Sequence, residues 1–158
     1  TGGIYMAFFV WKDEYSTGIT GIDTQHKEII RLMNEVFSAI SKSKEKLVKK
    51  EVFIDLLKYA NYHFGLELSL FQQYHYEREN EHREEHNFFI KKIETLMIND
   101  YLTDKNVLIE TLHFLRSWFE NHILKTDVEY CRYFDHEELM DEIEKFIKSK
   151  GDYYIQPL

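Results

Sequence analysis

The chain has 158 residues and a net charge of -8, long enough to bury one core without disulfide staples, and a single domain is expected. Acids and bases alternate along it rather than cluster, which excludes the basic face that a nucleic acid requires. One cysteine, Cys131, forms no intramolecular disulfide, so a reducing cytoplasm is the simplest home, and the apolar opening "TGGIYMAFFVW" is too short for a signal core or a membrane span.

Six glycines and one proline, Pro157, leave few breakers, and apolar residues at three- and four-residue spacing predict an all-α chain. Residues 1–22 read as an N-terminal arm. Helix 1 is expected to begin at Asp23 as its N-cap, with a stripe of His26, Ile29, Ile30, Met33, Phe37 and Ile40 that ends at "SKSKEK". Helix 2, from about Val48 to Tyr74, lines up Phe53, Leu56, Leu57, Ala60, His63, Phe64, Glu67 and Phe71. Helix 3, from about Asn80 to Ile98, carries His82, His86, Phe89, Ile93 and Leu96 on one line. Helix 4, from about Asp104 to Asp127, aligns Leu108, Leu112, Leu115, Phe119 and His122. Residues 128–158 form a C-terminal extension with a short helix after Asp135, where Asp135 and Glu138 resemble a capping box.

Four helices with short connections pack most economically as an antiparallel up-down bundle over residues 23–127. That topology brings the start of helix 1, the end of helix 2, the start of helix 3 and the end of helix 4 to one end. His26, His63, Glu67, His82, His86 and His122 therefore converge. A single histidine on an apolar stripe is usually a hydrogen-bonded core residue. Glu67 changes the reading, because a buried carboxylate costs several kcal/mol unless paired and no Lys or Arg shares its stripe. A metal is the natural partner. His113 lies about 900° of helix rotation before His122, hence on the outer face, and His75 and His136 fall in links, so these three are expected to take no part. The spacing does not divide the ligands between metal ions.

The motifs resemble the hemerythrin family, above all its single-domain bacterial members. Trp11, "YSTGITGIDTQHKEI", "HFGLE", "HREEH" and "WFENHILKTD" carry the resemblance, which spans about Phe9 to Tyr133. It implies an oxo- or hydroxo-bridged pair of iron ions. His82, His86 and His122 would bind one iron and His26 and His63 the other, with Glu67 and Asp127 bridging both. The iron with two histidines would keep the position where dioxygen binds. Five nitrogens and two carboxylates suit six-coordinate iron better than tetrahedral zinc. Asp127 lies five residues after His122, about 140° away on an ideal helix, so the helix must widen there or end. Leu68 stands where many relatives have a second Glu, and His75 where Pro is common.

The implied function is reversible dioxygen binding for storage, delivery or sensing. Phe64, Trp118 and Phe119 are expected to roof the open iron position, with Thr126 the nearest polar side chain. No substrate acid or base stands beside the ligands, which favours binding over turnover. A diiron enzyme, acting as a peroxidase or nitric oxide reductase, is the rival. Only Glu79 with His82 offers the Glu-x2-His spacing of ferritin-like oxidases. A third reading is a sensor module with a fused or partner signalling domain.

Overall fold

A computed structural model describes residues 7–41, 45–98 and 105–150 and, for residues 45–50, the backbone alone. The expected helix 4 start at Asp104, positions 42–44 of the expected break and Pro157 lie outside the described residues. The described chain is all-α, apart from loops and a short 3-10 turn at Asp13–Tyr15. Helices α1 (Thr20–Ser41), α2 (Glu45–Tyr74), α3 (Glu79–Ile98) and α4 (Lys105–Trp118) form the bundle. A π-helical segment, Phe119–Asp127, continues α4 into α5 (Val128–Tyr133), and α6 (His136–Lys150) follows. Helix α1 packs on α2 and α4, and α3 packs on the same two, which closes a ring in chain order.

Helix α1 starts three residues before the expected point, and Asp23 is not its N-cap. The arm folds back and Asp23 becomes an acceptor inside the first turn. Its carboxylate accepts from the Thr17 amide (2.8 Å), the Thr17 hydroxyl (2.7 Å) and the Ser16 hydroxyl (2.5 Å). The helix macrodipole favours a negative charge there. Gly18 supplies the left-handed φ of 81° that lets the arm reverse. Asp135 does cap α6, accepting from the Glu137 and Glu138 amides at 2.9 and 3.2 Å. His75, with φ 53°, turns the chain between α2 and α3.

The apolar interior is split in two. The larger core holds Ile29 and Met33 of α1, Phe53 to Phe64 of α2, Phe89 and Ile93 of α3, and Leu115 to Ile123 of the fourth strut, which is α4 continued by the π segment and α5. The smaller one holds Ile19, Ile22, Leu66, Leu70, Phe71, Tyr130, Cys131, Leu139 and Ile143. On α1, α2 and the fourth strut, the buried histidines and carboxylates fall at the junction between them. Helix α6 seals the smaller core by packing on α1 and α2. At that contact a Cβ on Gly21 would meet Ile143 Cγ2 at 2.6 Å, so only glycine allows this approach.

Candidate metal centre

His26, His63, Glu67 and Asp127 are 0% exposed, and His82, His86 and His122 are also buried. They come from both directions of the bundle: His26 from the first turns of α1, His63 and Glu67 one turn apart near the end of α2, His82 and His86 one turn apart at the start of α3. His122 and Asp127 belong to the π segment. Its wider turn, approaching five residues, brings an i, i+5 pair to one face, as the spacing of these two residues requires. His113 is exposed and His75 stands in the interhelical turn. His136 donates to or accepts no ligand of the cluster, its Nε2 lying 2.9 Å from the Cys131 carbonyl.

Each carboxylate shows one oxygen to each of two histidine sets. Glu67 Oε2 lies 3.0 Å from His86 Nε2 and 3.4 Å from His82 Nε2, while Oε1 lies 3.5 Å from His63 Nε2. Asp127 Oδ1 lies 3.1 Å from both His82 and His122 Nε2, and Oδ2 lies 3.2 Å from His26 and 3.5 Å from His63 Nε2. The donor atoms of Glu67, His82, His86, His122 and Asp127 fall within 4.8 Å of one another, and so do those of His26, His63 and Asp127. The geometry thus divides the five imidazoles into three and two.

Apart from His63 Nε2 with Asp127 Oδ2 at 3.5 Å, these contacts are close but misdirected for hydrogen bonding. Both nitrogens of His26 and of His82, both oxygens of Glu67 and Asp127 Oδ1 make no hydrogen bond despite complete burial. Native interiors seldom leave such atoms unpaired, each costing about 1–3 kcal/mol or more. Lone pairs aimed at a common point between them are what metal ligands require, and this donor set fits two six-coordinate cations.

Without metal the cluster balances its own charge. Burial and the adjacent Asp127 push the Glu67 carboxyl up, but the His63 and His82 imidazoles outweigh them and hold it well below the usual carboxylate range. Asp127 is also held low: burial opposes ionisation, and His122, His26 and His63 prevail. Burial favours neutral His82 and His122, yet the Glu67 and Asp127 charges win and raise them to about 10 and about 9. Burial dominates at His86, which falls to about 4.

Two outer partners orient the rings. His63 Nδ1 donates to Gln25 Oε1 at 2.7 Å, and His122 Nδ1 donates to Glu85 Oε2 at 2.5 Å. Sequence reasoning identified neither, although each stands one residue before a ligand-type histidine. Of the expected roof, Phe64 stacks on His86 at 3.7 Å and Trp118 on His122 at 3.9 Å, both beside the three-histidine set. Phe119 is fully buried and meets Phe9 and Tyr15 of the arm at 4.9 and 5.5 Å. Asn34 clamps that arm, accepting from the Phe8 and Phe9 amides and donating to the Phe9 carbonyl. Tyr59, stacked on His63 at 5.4 Å, is an aromatic neighbour that the spacing did not single out.

A closed helical ring around a buried cage of five imidazoles and two shared carboxylates defines the class of non-haem dimetal bundles. The Hemerythrin HHE cation binding domain model matches residues 17–134. The chain is 35% identical over 129 residues to a bacteriohemerythrin of Clostridium acetobutylicum, covering 77% of this chain and 98% of that one. It is 32% identical over 125 residues to a bacteriohemerythrin of Pseudomonas aeruginosa, covering 79% and 80%. A hemerythrin-like protein of Naegleria gruberi is 26% identical over 122 residues, covering 77% and 90%. The chain belongs to the hemerythrin family. That family is a diiron binder, and the buried cage fits such a centre.

Proposed function

We propose that the protein binds dioxygen reversibly at a diiron centre held by His26, His63, Glu67, His82, His86, His122 and Asp127. Storage, delivery or sensing of oxygen in the cytoplasm is its role. The observation that carries the reading is a buried cage in which His26, His82, Glu67 and Asp127 Oδ1 have no hydrogen bond, divided three and two between sets that share both carboxylates. When bound, the iron pair supplies the electrons for reversible oxygen capture. The chain's own residues do the rest. Glu67 and Asp127 offset half of the ~+4 of a divalent pair, so that a buried site is tolerable. The two-histidine set has one protein ligand fewer, which leaves room for a small molecule.

Exclusion of water and of proton donors favours binding over turnover. Phe119, Phe9 and Tyr15 form one aromatic block and Phe64 stands 5.9 Å from His63, apolar surroundings that favour neutral dioxygen over anions. Thr126 donates to Glu85 at 3.2 Å and is not free to serve as an acid. No helix among the described residues is long and apolar enough to cross a membrane.

The test is anaerobic iron(II) loading, followed by stepwise oxygen addition and removal with absorbance recorded throughout. A spectrum that appears with oxygen and reverses on its removal is expected. Irreversible oxidation at the first addition, or rapid multiple-turnover consumption of oxygen, peroxide or nitric oxide, would replace this reading with the enzyme.

A further inference from the structure

We propose that Glu85 is a positioning residue that makes the halves of the centre unequal, so that a divalent metal fills the three-histidine half before the two-histidine half. The inference rests on the reading of the cluster as a two-metal site. Glu85 stands on α3 one residue before His86 and reaches across to the fourth strut, 37 and 41 residues away. There it accepts from His122 Nδ1 at 2.5 Å and from the Thr126 hydroxyl at 3.2 Å.

Two consequences follow from that contact. Glu85 holds a proton on Nδ1, so Nε2 is the nitrogen turned towards Asp127 and the interior and the one that offers its lone pair once a metal displaces its proton, and the Trp118 indole stacked at 3.9 Å, 19° from parallel, holds the ring plane. A full negative charge behind the imidazole also makes Nε2 a stronger donor than a neutral partner can.

The other half has the weaker version of the same arrangement. Its outer partner is Gln25, whose amide oxygen fixes His63 at 2.7 Å without adding charge. His26 has no outer hydrogen bond at all among the described residues. With both carboxylates shared, five donor groups serve the three-histidine side against four on the other, where Glu67 stands off at 3.5 Å from His63. Access points the same way. An open groove of about 900 Å³ between α3 and α4, lined by Glu81, Glu84, Glu85, Lys92, Trp118 and His122, reaches the three-histidine side.

A carboxylate that only formed a surface ion pair with His122 would leave the order of loading unaffected. Cobalt(II) is the probe, titrated anaerobically into metal-free protein and followed by calorimetry and visible absorption. The wild type should take two ions in two resolved steps. Glu85→Gln should weaken the first step by ~10–100-fold and leave the second in place. Gln25→Leu should weaken the second step alone, and Glu84→Gln, an exposed neighbour, neither. Metal-free Glu85→Gln should still melt cooperatively and only a little below the wild type, since the side chain is 45% exposed and Gln keeps an acceptor for His122 Nδ1. Fewer than two cobalt ions per wild-type chain would overturn the two-metal reading itself. Two ions taken in one step, or a Glu85→Gln titration equal to wild type or weakened alike in both steps, would overturn the proposal while the site reading stands.

Discussion

Loading the metal-free protein at pH 7 should expel two protons from His82 and His122. With these imidazoles raised to about 10 and about 9, both are ~99% or more protonated at pH 7, whereas a metal needs the neutral ring. Glu67 and Asp127 are already ionised, and His86, near 4, is already neutral, so none of these contributes a proton. Two released protons make the apparent affinity rise ~100-fold per pH unit from pH 7 towards pH 9. The slope should then fall towards ~10-fold between the two values, once His122 is neutral, and flatten from these residues above about 10. Displacing the two protons at pH 7 costs about 7 kcal/mol of the gross metal affinity, to order of magnitude. The assay is calorimetric titration of cobalt(II) in buffers of different ionisation enthalpy, repeated across this range. A bridging hydroxide formed from water adds a proton that does not fade above pH 10. Absence of proton release at pH 7, or a slope that stays constant from pH 7 to above pH 10, would refute the reasoning.

Metal-free stability should have a plateau bounded on both sides. His82 and His122 have raised values, so their contribution is full below about 6.5 and is lost as pH rises through about 9 to 10. Glu67 and Asp127 are depressed, so theirs is present above about 4.5 and lost as pH falls, and His86 adds a loss between about 6.5 and 4 because the unfolded chain takes up its proton first. Thermal melts across pH should show both edges, with metal raising the melting temperature most on the alkaline side. His86→Ala should lower iron content, measured by elemental analysis, while exposed His113→Ala should leave it unchanged. Gly21→Ala should destabilise by ~1–3 kcal/mol in denaturant titration, and adding Ile143→Ala should recover part of that loss, because the clash is with Ile143 Cγ2.

Much of the site was legible in the chain because helix geometry is local. A rise of about 1.5 Å and a turn of about 100° per residue decide which positions share a face, and short connections decide which helix ends meet. From that alone His26, His63, Glu67, His82, His86 and His122 fall at one end; Asp127 joined them only through the family resemblance, and its five-residue step from His122 then demanded a wider turn. The π segment Phe119–Asp127 is that turn. The start of α1 was not legible, because Asp23 has the chemistry of an N-cap and only the returning arm, with Thr17 and Ser16 as donors, assigns it another task.

Rotation and depth of one helix against another are not local, and those decided the remainder. Which imidazoles share an oxygen of Glu67 or Asp127, and so the division into three and two, depends on how four helices turn about their axes. The partners Gln25 and Glu85 lie 38 and 37 residues from the rings they hold, so no periodicity within one helix reveals them. The contact of Phe9 and Tyr15 with Phe119, and the approach of Gly21 to Ile143, likewise exist only once the arm and α6 have packed, since complementary volume between distant segments is a property of the assembled interior rather than of any stretch of chain.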